Sequence, residues 1–441
     1  MIYFVRTGET VTEAFDAVMV CTGHHSVPNI PEFPGAETFK GEVLHSHEYK
    51  DNERFRGKRV VTVGIGNSSS DITTEISKVA AECFCVSRSG VWVQLNGFGD
   101  AELLESGEEV WGDGKPFALS RMEILRQGWS GEEAISREMQ AGLSHQEWVN
   151  VAPDDGLEPQ MRIGQAHPTQ TLNNPSNNLL KQLCSGKIRI KTGLERLTET
   201  GAVFAAAKGE EPVDCVVLCT GWIFGFEFVD KRVWPEKCGD AEHWQRDNEN
   251  TLFKFMYPTS GYNNIAWVGL CQPLHSQFLV SEIMSRHALA TFTGEIELPP
   301  MAEQLSDIAE KRDAMRVQFK DSPRHTMMAN VALLDELAED LSVTPTLGRL
   351  LQTMNWRKIR AAYWTPMTAN HYRLVGPDSR DDAAQIIWDE YKGIYHDASN
   401  RTYGSIAHYL LWQYPSTFLR FLPKQIKNRM ANGKLEWNPL V

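Results

Sequence analysis

Through its first two thirds, this chain carries its apolar residues in short unbroken runs rather than at helical spacing. "FDAVMVCTG" (from Phe15), "KRVVTVGIG" (from Lys58), "ECFCVS" (from Glu82), "DCVVLCTG" (from Asp214) and "NNIAWVGLC" (from Asn263) are apolar almost throughout. Runs of that length and pattern predict parallel strands covered on both faces. The opening "MIYFV", the turn "RTGET" and "FDAVMVCTG" read as a hairpin. "KRVVTVGIGNSSSDITTEISKVAAECFCVSRSG" reads strand, tight turn, helix from near Ser68, strand: a complete βαβ unit. "HHSVPNIPEFPG" is a proline-punctuated connection.

From about Asn96 to Gly164 the pattern weakens into an insertion outside the sheet, with "GEEAISREMQAGLSHQEWV" as a helix. "IRIKTGLERLTETGAVFAAAKGEEPVDCVVLCTGW" returns to strands as a meander that closes on a buried one. A helix is predicted from about Ser276 to Thr293. More helices follow Pro300 to about Lys358, and then an aromatic, amphipathic tail.

The 441 residues suffice for two to three domains with sizeable cores. A formal net charge of -13 argues against nucleic acid as the main partner, because phosphate binding needs clustered Lys and Arg. The eight cysteines (Cys21, Cys83, Cys85, Cys184, Cys215, Cys219, Cys238 and Cys271) form no C-x-x-C pair and read as small buried core residues in a reducing compartment. The N-terminus lacks a signal-peptide core, and no uninterrupted apolar run is long enough to span a bilayer.

Candidate chemistry concentrates in "VVTVGIGNSSSD". Gly64-x-Gly66-x-x-Ser69 lies between a predicted strand and helix, with Asn67, Ser68, Ser70 and Asp71 beside it. The first glycine permits the turn, the second admits a pyrophosphate, and the third position needs a small residue. The helix N-terminus would offer its free N–H groups to the phosphates. The second strand ends in Ser87 and Arg88 with no acid, which favours a 2′-phosphate and hence NADP(H) over NAD. The plainer reading of Arg88 is a solvated surface arginine.

"FKGEVLHSHEYKD" is too polar for a core strand. Its Phe39-x-Gly41-x-x-x-His45-x-x-x-Tyr49, just before the glycine motif, resembles the fingerprint of the flavin-containing monooxygenases. Tyr49 stands where the related Baeyer–Villiger enzymes carry tryptophan. The resemblance continues through "FDAVMVCTGHH", "SRSGVWV", "VVLCTGW", "VGLCQPLHSQFLVSEIMSRHALATFTG" and "WTPMTANHYRLVGP", from about residue 14 to 392.

The resemblance implies an α/β fold of two Rossmann-like dinucleotide-binding domains. Residues 1–47 would be a remnant of the FAD domain with its linker, and 48–219 the NADPH domain with its insertion at about 97–160. Residues 220–300 would return into the FAD domain, and 301–441 would form a helical region and tail. It implies that the fingerprint stretch links the two domains. Phe39 and Gly41 would shape its turn, while His45 and Tyr49 would present polar groups near the nucleotides. Thr22 and Gly23, with Thr220 and Gly221, would be the two crossings. Trp222 stands where the family commonly has tyrosine. Gln272 matches a glutamine near the flavin; a helix-capping role fits it equally well.

The activity implied is oxygenation of soft nucleophiles, amine nitrogen or thioether sulfur, by FAD and NADPH with O2 through a flavin hydroperoxide. No catalytic side chain stands out. His24 and His25 lack carboxylate partners at ligand spacing, so no metal is expected, and "GNSSS" is not a hydrolase nucleophile elbow. No G-x-G-x-x-G precedes residue 14, so the expectation is a truncated FAD domain with an incomplete site and an exposed apolar strand edge. The alternative function is a non-catalytic NADP(H)-binding or interaction protein that has lost FAD. The tail "YGSIAHYLLWQYPSTFLRFLPKQIKNRM" could lie in a membrane interface, and the family suggests the cytosolic face of the endoplasmic reticulum, with the cytoplasm as the alternative.

Overall fold

The computed structural model describes residues 8–87 (except 26), 185–223 (except 206–208), 251–319 (except 274 and 275) and 331–395 (except 366), with shorter pieces elsewhere. The chain forms two compact units, residues 1–117 with 130–342, and 118–129 with 343–441.

The first unit is built on a five-stranded, all-parallel sheet. Its order is Arg189–Lys191, Glu82–Val86, Arg59–Val63, Cys215–Leu218, Glu42–His45. Side chains alternate across a strand, so each apolar run serves two cores. Val60, Cys83, Cys85, Cys215 and Val217 meet Ile72 and Ile76 of the helix Asn67–Ser77 on one face. Val61, Phe84, Val86, Val216 and Leu218 meet Leu197, Ala202 and Phe204 on the other. The last three belong to the antiparallel meander Leu194–Leu197, Gly201–Phe204 and Glu210–Pro212. Two covered faces explain why the runs show no polar alternation. Arg59 pins the register: its backbone N, Nε and Nη2 donate to the Asp214 carboxylate at 2.8, 3.0 and 2.8 Å.

The predicted hairpin is corrected. Ile2–Phe4 pairs with Glu9–Val11, and Val18–Val20 instead runs parallel to Ile265–Trp267. The first strand thus pairs with Glu9–Val11, which leaves "FDAVMV" for a non-local partner. Nor is that strand covered throughout: Val18 and Met19 are exposed and Val20 is buried. The helix expected within the insertion is corrected at its end. Val91–Gln94 pairs with Trp148–Val151 and Leu172–Asn173 in a separate three-stranded sheet, so the predicted helix through Trp148 and Val149 ends in a strand. The rest of that helix lies outside the described residues.

Gln277–Phe292 is the predicted helix, capped by Ser276, whose Oγ accepts the Phe278 N–H. The helix Val331–Asp340 packs on it. Among the cysteines, Cys83, Cys85, Cys215, Cys219 and Cys271 are buried as expected, but Cys21 is exposed. It follows Val20 at the end of its strand, beyond the buried position. Cys184 and Cys238 lie outside the described residues.

The second unit gathers Leu347–Gln352, Trp356–Trp364 and Ala383–Tyr395 around Leu350, Ile359, Ala362, Leu374 and Ile387. Thr346 and Asn355 cap the first two helices. Among the described residues, no helix is long and apolar enough to cross a membrane; the aromatic tail lies outside them.

Candidate functional site: the glycine turn and the crossing beside it

The turn after Arg59–Val63 can be made only by glycine at its first position. Gly64 has φ +110, and a Cβ there would sit 2.4 Å from the Cys219 carbonyl oxygen. That contact brings the end of the Cys215–Leu218 strand against the turn, where Cys219 N donates to Val63 O at 2.9 Å. Gly66 is the N-cap of the helix and has no side-chain cap. A Cβ on Gly66 would meet nothing within 4 Å, so the approach to the helix N-terminus is open.

The third motif position explains why serine is tolerated. Ser69 is fully buried and donates its Oγ–H to the Gly64 carbonyl at 2.7 Å. It also touches Thr73 Oγ1 at 3.3 Å, which in turn lies 2.7 Å from Thr62 Oγ1. A small polar network thus joins helix to strand where a glycine or alanine would only make room. Ser70 is buried, while Asn67, Ser68 and Asp71 are exposed along the start of the helix. Ser87 is buried, and its N–H bonds Lys191 O at 2.9 Å. Arg88, the predicted 2′-phosphate partner, lies outside the described residues.

The fingerprint residues act as fasteners. Phe39 folds over Gly41 so closely that a Cβ there would be 2.3 Å from the Phe39 ring and 2.6 Å from Asp214 O. Phe39 packs against the meander-side core. Tyr49 stacks on the buried Phe55, with ring centroids 5.9 Å apart. Burial, and then the Glu75 and Asp51 carboxylates, push its phenol up.

His45 holds the crossing. Its Nδ1 accepts the His47 N–H at 3.1 Å, which fixes the proton on Nε2, and Nε2–H donates to Gly221 O at 3.0 Å. The same carbonyl accepts Asn29 N–H at 3.0 Å, and Asn29 Nδ2 donates to Thr220 O at 3.2 Å. Val27–Pro28 and Trp222–Ile223 pair antiparallel here, so the segments after "CTGHH" and "CTGW" are stitched together. Gly23 and Gly221 take φ +70 and +84 at the two bends. Thr22 is exposed. Burial lowers His45 and His25, and lowers His24 to about 4 with help from its neighbour His25. Among the described residues no cluster could hold a metal ion.

Gln272 lies in a two-residue strand paired with Met328–Ala329, and the capping alternative goes to Ser276. One buried constellation had no signal in the sequence. His287 is fully buried, with Nδ1 2.7 Å from Tyr257 Oη and Nε2 2.9 Å from Asp340 Oδ2. Lys254 Nζ reaches the same carboxylate at 2.5 Å. Burial pushes Asp340 up, but the His287 and Lys254 bonds outweigh it and leave the carboxyl lowered. Burial pushes the Tyr257 phenol up. Positions 254, 257, 287 and 340 are too far apart for any spacing to reveal. A lone histidine in the apolar "SRHALATF" was the one available hint.

A model of the flavin-binding monooxygenase-like family matches residues 4–411. The chain belongs to that family. Guinea pig (Cavia porcellus) flavin-containing monooxygenase 5 is 32% identical over 402 residues, covering 89% of this chain and 69% of that one. Human (Homo sapiens) flavin-containing monooxygenase 2 is 32% identical over 398 residues, with the same coverage. The closed crystal structure of cyclohexanone monooxygenase has a TM-score of 0.50 at 14% identity over 73% of this chain and 72% of that one, a likeness of fold. As a flavin-binding monooxygenase, the chain is an oxidoreductase whose cofactors are FAD and NADP(H).

Proposed function

We propose that this chain oxygenates soft nucleophiles, amine nitrogen or thioether sulfur, drawing electrons from NADPH, and that NADP(H) binds at the Gly64–Gly66 turn. The observation that carries the reading is the open helix N-terminus at Gly66, where a side chain would meet nothing. A pyrophosphate fits that space. It would receive the N–H groups of Asn67, Ser68 and Ser69 and the positive end of the helix dipole. Ser87 and Arg88 end the neighbouring strand, where the adenosine ribose of such a ligand lies.

When bound, FAD would supply the redox chemistry that couples NADPH oxidation to oxygenation of the substrate by O2. The chain's own residues bind and orient. Gly64 sets the turn, Ser69 holds its carbonyl, and Phe39, Gly41 and His45 fix the crossing beside it. None is called on as acid or base. The second reading is an NADP(H)-binding or interaction protein without oxygenase activity.

The test is to incubate the purified chain with FAD, NADPH, O2 and N,N-dimethylaniline and follow the N-oxide by mass. Product that depends on both cofactors supports the first reading. NADPH binding with no product, and no retained flavin, supports the second.

A further inference from the structure

We propose that His45 and Trp222 form a proton-sensitive clasp on the paired segments Val27–Pro28 and Trp222–Ile223. With His45 neutral the clasp is shut, and a proton on its Nδ1 opens it.

Both ring nitrogens of His45 are committed. Nε2–H donates to Gly221 O and the Nδ1 lone pair accepts the His47 N–H. His45 is 1% exposed, so water has little access to the ring as a substitute for either partner. A proton on Nδ1 would turn that acceptor into a donor facing another donor, and a buried donor without an acceptor is costly. The turn Ser46–Glu48 would then have to move. With it would go the hold on Gly221, which has φ +84 and sits directly before Trp222.

Trp222 is collared by three imidazoles. His45 and His47 meet it edge-on at 5.2 and 5.1 Å, and His25 lies 5.7 Å away. His24 touches His25 at 4.1 Å. One positive imidazole beside an indole is attracted rather than repelled. Opening is therefore set by the lost Nδ1 acceptor, not by the ring contacts.

The charged groups around the clasp pull both ways. Glu48, whose Oε1 accepts the His45 N–H at 3.1 Å, favours the proton, as does the bond to Gly221 O; Asp71 and Glu75 lie on the helix packed against this turn. His47 opposes it. Burial outweighs the favourable groups, and His45 is lowered from the ordinary histidine value. The sign follows. The open form takes the proton more readily, so the shut clasp is complete above about pH 6.5 and weakens as pH falls below it. His45 is thereby a positioning residue. It holds Gly221, and with it the pairing of Trp222–Ile223 with Val27–Pro28, only while neutral.

Amide hydrogen exchange read by mass spectrometry tests this on the full chain, with rates corrected for the intrinsic pH dependence. Protection at residues 221–223 is expected to fall about tenfold between pH 7.5 and 5.5, while the strand Arg59–Val63 keeps its protection. His45→Gln supplies a donor to Gly221 with no titrating proton, so its protection should stay level across that range. His45→Ala should be unprotected at every pH. Level protection in the parent chain, or a His45→Gln variant that falls in parallel with it, overturns the proposal. Retained protection at Arg59–Val63 shows that each variant has folded.

Discussion

Ser69 donates its hydroxyl to the carbonyl of Gly64 at 2.7 Å from a fully buried position. The turn carbonyl is thereby satisfied from within the helix that follows it. Ser69→Ala should cost about 1 kcal/mol, because the Cys85 thiol, 3.4 Å from the same carbonyl, remains as only a weak donor to it. A lower urea midpoint with an unchanged slope would show it. A change smaller than experimental scatter would mean water reaches that carbonyl.

Gly66 separates binding from stability. A side chain there meets no protein atom, so Gly66→Asp should change the unfolding midpoint by less than about 0.5 kcal/mol, as at an ordinary surface position. The added carboxylate would stand where the pyrophosphate approaches, and NADPH affinity should drop at least about tenfold. Gly64→Ala is the contrasting variant. Its strained φ and the 2.4 Å approach to Cys219 O predict a loss of at least about 2 kcal/mol.

Phe39 and Gly41 should be energetically coupled. Gly41→Ala drives a methyl into the Phe39 ring, and Phe39→Ala empties that space. The double variant should therefore be less destabilised than the two single effects summed, by about 1 kcal/mol. Strict additivity would place the clash on the Asp214 carbonyl instead.

The Tyr257–His287–Asp340–Lys254 constellation predicts an acid limb. Asp340 is lowered in the folded protein, so its contribution is present above the ordinary aspartate value of about 4 and is lost as pH falls through the lowered value. Asp340→Asn should remove that part of the acid dependence. It should cost about 2 kcal/mol at neutral pH, below the full figure for a buried pair because Asp340 is 35% exposed. Thermal unfolding from pH 7 to 3 on both proteins would decide it.

These cases also show what the sequence could disclose. The strand–turn–helix at Lys58–Ser77 was legible because the glycine requirement is local, and a run covered on both faces leaves a plain signature. The partner of Val18–Val20 was not, because Ile265–Trp267 lies about 245 positions later and nothing in either run names the other. The fingerprint gave away the family, yet not how its residues work. That Phe39 closes over Gly41, and that His45 holds Gly221, depends on contacts across as many as 176 positions. His287 was invisible for the same reason.

The most direct test of the account is a titration of the purified chain with NADPH and with NADH, followed by isothermal calorimetry, on the parent and on Gly66→Asp. The account predicts saturable binding of NADPH, weaker binding of NADH, and loss of both in the variant while its unfolding midpoint stays put. NADPH binding that survives Gly66→Asp unchanged, or a folded parent that binds neither nucleotide, would contradict it.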